Sequence, residues 1–386
     1  MNKQLVMTTA FVGLSGLIHP PGGSRVVYAD GIDTLLVIEP SKQCPRNSEG
    51  DVVELKDGRL CLVYIRFTGG GRDDAAADIV ARTSNDDGKT WSDDRILVRN
   101  EGRRNVMSVS IVRLGNGDLL LFYLRKNGMD DCNSFVRIST DDFATLSAPA
   151  RVTVDDGYHV VNNDRVIQLS TGRLIVPAAL HCSPRFKEKK FTPYGVPRVF
   201  FSDDEGKTWR ADETTIPDTM SRVVMLQEPG VLELKDSRLW MWLRTDAGMQ
   251  YECFSEDGGE HWSSPKPSQL ASPRSPATIE RIPGTGDLLS VWNDHSGWHA
   301  YPKGKRTPLC LTISRDEGRT WSKSRVIEGD PDGWCCYTSM AFVRDRVILA
   351  YCAGDTQVGG LNRLTSRVDL ARMAVSEGIG NGATTC

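Results

Sequence analysis

Six stretches of the chain run apolar residues into a short polar turn and out again: residues 52–64, 109–123, 165–178, 231–243, 277–292 and 340–351. Each carries β-branched or aromatic residues around a turn such as Lys56-Asp57-Gly58 or Gly115-Asn116-Gly117, the pattern of a β-hairpin. Apolar spacing of the helical kind is missing along the whole length. The expected fold class is all-β.

Between the hairpins a second pattern recurs. The octet Ser-x-Asp-x-Gly-x-Thr-Trp opens at Ser84, Ser202, Ser255 and Ser314, with His261 in place of Thr in the third full copy. An eroded copy from Ser139 keeps Asp141 and Thr145 but has lost the Gly and the Trp. The five copies are spaced by 55, 63, 53 and 59 residues, a period that signals repeated supersecondary units. In each copy the Asp is placed to bond backbone N–H groups ahead of it, and the Gly takes a left-handed φ. The boxes therefore read as structural turns rather than as a site.

Six hairpins, each followed by one or two further strands, make six four-stranded units. A six-bladed β-propeller with Asp-box repeats accommodates them as one domain over residues 30–375. The strand pattern at residues 32–38 has no hairpin partner nearby, and the last hairpin is followed by only one more strand pattern. The N-terminal strand is therefore expected to complete the last blade and close the ring. Residues 376–386 read as a flexible Gly-, Ala- and Thr-rich tail.

Residues 1–29 read as a secretory signal peptide, with Lys3 before an apolar run at 5–18 and the small-residue site Val27-Tyr28-Ala29. A secreted or periplasmic location is the corresponding expectation. No later run is long enough to span a membrane. The ten cysteines lack metal-ligand spacing, so no metal or other cofactor is expected. With 47 basic and 50 acidic residues and no dense basic run, nucleic acid is not an expected partner.

The inner strands of a propeller surround one axis, so equal register in each hairpin faces one space. Counting back six positions from the apolar residue before each turn gives Glu49, Ser108, Asn163, Glu228, Pro276 and Tyr337. That set is rich in donors and acceptors converging on one mouth. Arg66, Arg125 and Arg244 end the return strands, and Arg306 precedes the strand leading into the last box. Guanidinium groups gathered at a pocket mouth suit an anionic ligand, because each grips a carboxylate through two parallel hydrogen bonds.

With these residues in place, the chain resembles the sialidase (neuraminidase) family over residues 40–370. The resemblance implies a tyrosine nucleophile, Tyr337, paired with Glu228, and an aspartate acid/base at either Asp73 or Asp74. It also implies an arginine grip on the substrate carboxylate from Arg244, Arg306 and a third arginine, with Arg46 nearest and Arg66 close behind. A tyrosine suits this chemistry because a carboxylate nucleophile would be repelled by the carboxylate on the anomeric carbon. Two departures fall together. Arg46-Asn47-Ser48-Glu49 replaces the family's Arg-Ile-Pro, and Cys352 stands where a glutamate commonly steadies the first arginine. Glu49 and Asn163 join the expected substrate-binding set. The implied activity is exo-glycosidic release of a terminal sialic acid, or a related acidic sugar, from a glycoconjugate. A propeller acting on another acidic sugar, as hydrolase or lyase, and a non-catalytic carbohydrate-binding propeller are the alternatives.

Overall fold

The computed structural model describes residues 32–214, 223–344, 346–355 and 367–374. The expected leader at 1–29 and tail at 376–386 lie outside the described residues. Every regular element among the described residues is a β-strand, and the strands form six blades, as the hairpin count requires. Blade one comprises Arg46–Glu54, Leu60–Phe67, Ala77–Ser84 and Arg95–Val98, in that order from the axis outwards. Blade two comprises Asn105–Arg113, Leu119–Lys126, Cys132–Ser139 and Ala150–Arg151. Blade four comprises Gln227–Glu233, Leu239–Arg244, Met249–Ser255 and Lys266–Ala271, and blade five Thr278–Arg281, Leu288–Asn293, Leu309–Ser314 and Arg325–Glu328.

Blade six closes the ring. Its inner three strands are Gly333–Val343, Arg346–Asp355 and Arg367–Ala374, and its outermost is the N-terminal strand Ile32–Ile38. That strand pairs antiparallel with the last one, from Ile32 opposite Met373 to Ile38 opposite Val368. The first and last described strands thus hydrogen-bond to one another, and this blade gains its outer strand.

Blade three departs from the hairpin expectation. Its inner strand is broken into Tyr158–Val160 and Ile167–Gln168, both paired to Leu174–Cys182. The outer strands are Val196–Ser202 and Arg210–Ala211. A parallel contact between Tyr158 and Cys132 joins this blade to blade two as one continuous sheet.

Apolar side chains fill the gaps between blades. Val63, Ile65 and Phe67 of blade one pack with Val106, Leu121 and Tyr123 of blade two. Fully burying a side chain of this size stabilises by about 1.5–3 kcal/mol. The boxes clip the outer turns in one way throughout. In the first, Ser84 Oγ donates to Asp86 at 2.8 Å, while Thr90 donates to Asp86 from its backbone N–H at 2.9 Å and from its hydroxyl at 2.6 Å. Hydrogen bonds from Thr90 hold the Asp86 carboxyl down at about 2. His261 does the same work for Asp257 through its N–H at 3.0 Å and Nδ1 at 2.7 Å. In the eroded copy Phe143 occupies the Gly position at φ 67° and buries its ring in the core, so the turn survives the loss of Gly.

A recurring bulge positions the site. Pairing slips between Ser48 and Asp51, Met107 and Ser110, Gln227 and Gly230, and Cys336 and Ser339. The residues inside those slips include Glu49, Ser108, Glu228 and Tyr337, with φ of 44°, 58°, 46° and 58°. Left-handed backbone costs a non-glycine residue about 1–3 kcal/mol, and bulges re-aim side chains. Four such costs at one level of four blades mark the place where the fold concentrates its chemistry.

Candidate active site

The bulged residues converge on a cavity of about 350 Å³ at one end of the axis. That is the size of a site for one small ligand. Glu49, Ser108, Glu228 and Tyr337 all line it, together with Arg46, Asp73, Arg244 and Arg306.

Two charge clusters face each other across it. In the first, Arg244 Nη1 holds Glu228 Oε1, and the Tyr337 hydroxyl reaches the same oxygen at 3.5 Å. Among the described residues Glu228 Oε2 and Arg244 Nε are buried without a hydrogen-bond partner, leaving capacity for a ligand. Burial, and then the Glu228 carboxylate, push the Tyr337 hydroxyl above its ordinary value despite Arg306 and Arg244. The hydroxyl is therefore neutral at neutral pH and loses its proton only to a base in contact with it. Arg306 stands over the rings of Trp334 and Tyr337 at 5.1 and 5.3 Å and donates to Cys336 Sγ at 2.9 Å.

In the second cluster, Arg46 Nη1 binds Asp73 Oδ1 at 2.5 Å, Nη2 donates to Ser48 Oγ at 3.2 Å, and Glu49 Oε1 lies 3.7 Å away. The guanidinium also stacks on Phe67 at 4.4 Å. Asp73 is open to solvent at the cavity mouth, with 65% of its side chain exposed, whereas Arg46 is 2% exposed. Lost hydration raises the Asp73 carboxyl, but Arg46 outweighs it and holds the group below the usual carboxylate range, with help from Lys126 and Arg306. Glu49 goes the other way. Burial and the nearby Asp73 push it up to about 7, although Arg46 and a 3.1 Å hydrogen bond from Ser108 oppose the shift.

A family model for the BNR repeat-like domain matches residues 58–349, most of the chain. The chain belongs to the superfamily of the BNR repeat-like domain. A sialidase from Bacteroides fragilis (strain YCH46) is 26% identical over 328 residues, which cover 74% of this chain; the chain spans 56% of that relative's length. Among solved structures, a sialidase of Trypanosoma rangeli superposes with a TM-score of 0.68 at 15% identity, over 92% of this chain and 60% of that one. A protein of unknown function from Dyadobacter fermentans DSM 18053 superposes at 0.67 with 16% identity, over 89% of this chain and all of that one. At these identities the structural likenesses show the fold.

Within this superfamily member, the residues expected from the sequence divide clearly. Tyr337, Glu228, Asp73, Arg46, Arg244, Arg306 and Glu49 share the cavity wall. Asp74 does not reach it and pairs with Arg72 at 3.2 Å, so of the two aspartates Asp73 is the one that lines the cavity.

Arg66 is corrected. It bonds Asp94 at 3.0 Å alongside Arg82 and Tyr64, and lies outside the cavity wall. Arg125 likewise stacks on Phe135 at 3.7 Å. The reason is strand parity. Arg66 and Arg125 lie six residues beyond Leu60 and Leu119, the first residues of their return strands, whereas Arg244 lies five beyond Leu239. An offset of one residue turns a side chain to the opposite face.

Asn163 is corrected too. It is fully buried in the break of the blade-three inner strand, and its amide donates to Gly50 O at 2.9 Å and Tyr337 O at 3.0 Å. It pins the bulges of blades one and six to each other and does not line the cavity.

The expected set also omits one wall. Lys126, Tyr158, His181 and Phe191, from blades two and three, line the side formed by neither arginine cluster. Tyr158 meets Phe191 edge-on at 5.2 Å, and Phe191 stacks on His181 at 5.3 Å. Burial holds His181 down at about 4, so this ring is neutral. Parity carried a signal for Lys126: it lies next to Arg125 and an odd number of positions from the strand start, like Arg244. His181, seven positions beyond Leu174 on its return strand, carried the same signal as Lys126 seven beyond Leu119, whereas Tyr158 sits on the three-residue strand Tyr158–Val160 and Phe191 comes from an irregular segment.

Proposed function

We propose that this protein is a retaining exo-glycosidase of sialidase type, cleaving a terminal sialic acid or a closely related acidic sugar. The observation that carries the reading is the Tyr337 hydroxyl at 3.5 Å from Glu228 inside a cavity shared with three arginines. Arg46, Arg244 and Arg306 bind the substrate carboxylate and fix the ring. Tyr337 Oη attacks the anomeric carbon as Glu228 takes its proton, and the bond to the leaving oxygen breaks as Asp73 supplies a proton to it. Water then attacks the anomeric carbon with Asp73 as base. The bond to Tyr337 breaks, and Glu228 returns the proton to the phenolate oxygen. Two displacements retain the configuration.

Paired with Arg46, Asp73 is in the wrong state for this work, because the guanidinium favours its ionised form. A substrate carboxylate competes for the same guanidinium. Once Arg46 turns to the substrate, the carboxyl of Asp73 loses its cation and rises toward the protonated form that an acid requires. Substrate binding thereby arms the acid.

A second reading, action on a different acidic sugar, is favoured by Glu49, a carboxyl beside Arg46 where the resemblance leads one to expect none. The test is release of a fluorogenic aglycone from an α-linked sialoside by wild type, Tyr337→Phe and Glu228→Ala. Turnover by wild type that collapses in both variants supports the assignment. No turnover on several sialosides sends the reading to another sugar acid, and turnover untouched by Tyr337→Phe removes the nucleophile.

A further inference from the structure

The wall formed by blades two and three carries a buried cation that the reaction above does not use. Lys126 is 3% exposed, lines the cavity, and has no carboxylate within ion-pair distance among the described residues. Its ammonium has three N–H groups, yet among the described residues it makes one weak hydrogen bond, to Asp73 O at 3.2 Å, and faces the ring of Tyr158 at 5.3 Å. Asp73 O already accepts a shorter bond of 2.9 Å from Asn105, so Lys126 is not needed to hold that loop. Removing an ammonium from water without a counter-ion is costly, and a site that retains one has hydrogen-bonding capacity directed at a ligand.

The surroundings define what the ammonium meets. Leu124 lies two residues earlier on the same strand and faces the same side, Met107 is opposite Leu124, and Cys132 is opposite Lys126. All three line the cavity and belong to, or pack against, one apolar cluster. A substituent that enters here passes apolar side chains and ends at a cation. The arginine grip lies on blades one and four and in the loop before the third strand of blade five, so this wall faces the ring substituents directed away from the carboxylate.

We infer that Lys126 makes the cavity selective for sugar acids whose acyl substituent ends in an oxygen, an N-glycolyl rather than an N-acetyl group. The inference rests on the sialidase-type reading of the cavity. The extra hydroxyl accepts from the ammonium while the preceding carbons lie along Leu124 and Met107. A hydrogen bond to a charged group is worth about tenfold or more in discrimination.

The experiment compares kcat/KM for matched N-glycolyl and N-acetyl α-sialosides, and calorimetric binding of the two free sugar acids, for wild type, Lys126→Met and Lys126→Arg. The expected wild-type preference is about tenfold for N-glycolyl by both readouts. It collapses toward unity in Lys126→Met and is partly restored in Lys126→Arg. A purely structural lysine would lower both substrates together and leave the ratio alone. A wild-type ratio near one, or a ratio unmoved by Lys126→Met, overturns the inference. Preferential binding of the N-glycolyl acid without turnover of either sialoside keeps the subsite and sinks the catalytic reading instead.

Discussion

Glu228 Oε1 is shared between two partners: Arg244 Nη1 holds it on one side, and the Tyr337 hydroxyl reaches it at 3.5 Å on the other. The arginine holds the carboxylate in place, and the tyrosine presents the proton it is to take. Glu228→Ala is therefore expected to lower kcat by about 10²- to 10⁴-fold. The check is steady-state kinetics on a fluorogenic sialoside, with circular dichroism showing that the propeller is intact. A kcat within a few fold of wild type would mean that the tyrosine finds another base.

Asp73 and Asp74 differ in position, and the difference is measurable. Asp73→Asn is expected to lower kcat/KM, which reports the first displacement, by about 10²- to 10⁴-fold for natural glycosides, but far less for a glycoside with an acidic aryl leaving group, which departs without protonation. Asp74→Asn, outside the cavity and paired with Arg72, is expected to leave both rates near wild type. Equal losses on both substrates for Asp73→Asn would contradict an acid role.

Glu49 sets a pH limit. Burial, chiefly, and the neighbouring Asp73 and Glu228 raise it to about 7, against the pull of Arg46 and the Ser108 hydroxyl. Below that pH it is neutral, and Arg46 is free to favour the substrate carboxylate. Above it, a second anion stands beside the substrate's own. For the wild type kcat/KM should fall as pH rises through about 7, and Glu49→Gln should flatten that limb.

The same shift has a sign in stability. A carboxyl raised in the fold contributes fully below its unfolded value, and that contribution is lost as pH rises through the folded one. Glu49→Gln should therefore raise Tm more at pH 8 than at pH 5. A Tm difference independent of pH would place the Glu49 titration elsewhere.

The boxes are expected to answer only in stability. Asp204 accepts from Thr208 N–H at 2.9 Å, Thr208 Oγ1 at 2.6 Å and Ser202 Oγ at 2.8 Å, far from the cavity. Asp204→Ala should cost about 1 kcal/mol, seen in a denaturant melt, with kcat per folded molecule unchanged. A change in kcat would couple this turn to the site.

Much of the site was legible because one local device recurs. The bulge in four inner strands falls at a constant distance from the turn, so counting from Leu55, Leu114, Leu234 and Val343 reaches Glu49, Ser108, Glu228 and Tyr337. Blade three breaks its inner strand, and there the count fails: Asn163 lands in backbone bonding and not in the wall. Arg66 and Arg125 misled because the end of a return strand is easy to see and its parity is easy to misjudge by one. Tyr158 and Phe191 were invisible for a different reason. Tyr158 lies on a three-residue strand outside the hairpin pattern, and Phe191 lies in an irregular excursion between Cys182 and Val196, where no period specifies which side chain turns inward.

In the proposed reaction Tyr337 becomes covalently bound to the sugar. A Trypanosoma rangeli sialidase of the same fold has been solved with 2,3-difluorosialic acid as a covalent intermediate. The direct measurement is incubation of this protein with that reagent, followed by intact mass spectrometry and peptide mapping. The expected result is a single adduct on the peptide containing Tyr337, absent from Tyr337→Phe. An adduct on another residue, or one that persists in Tyr337→Phe, would contradict the account, as would a wild-type protein that turns over sialosides yet is never labelled.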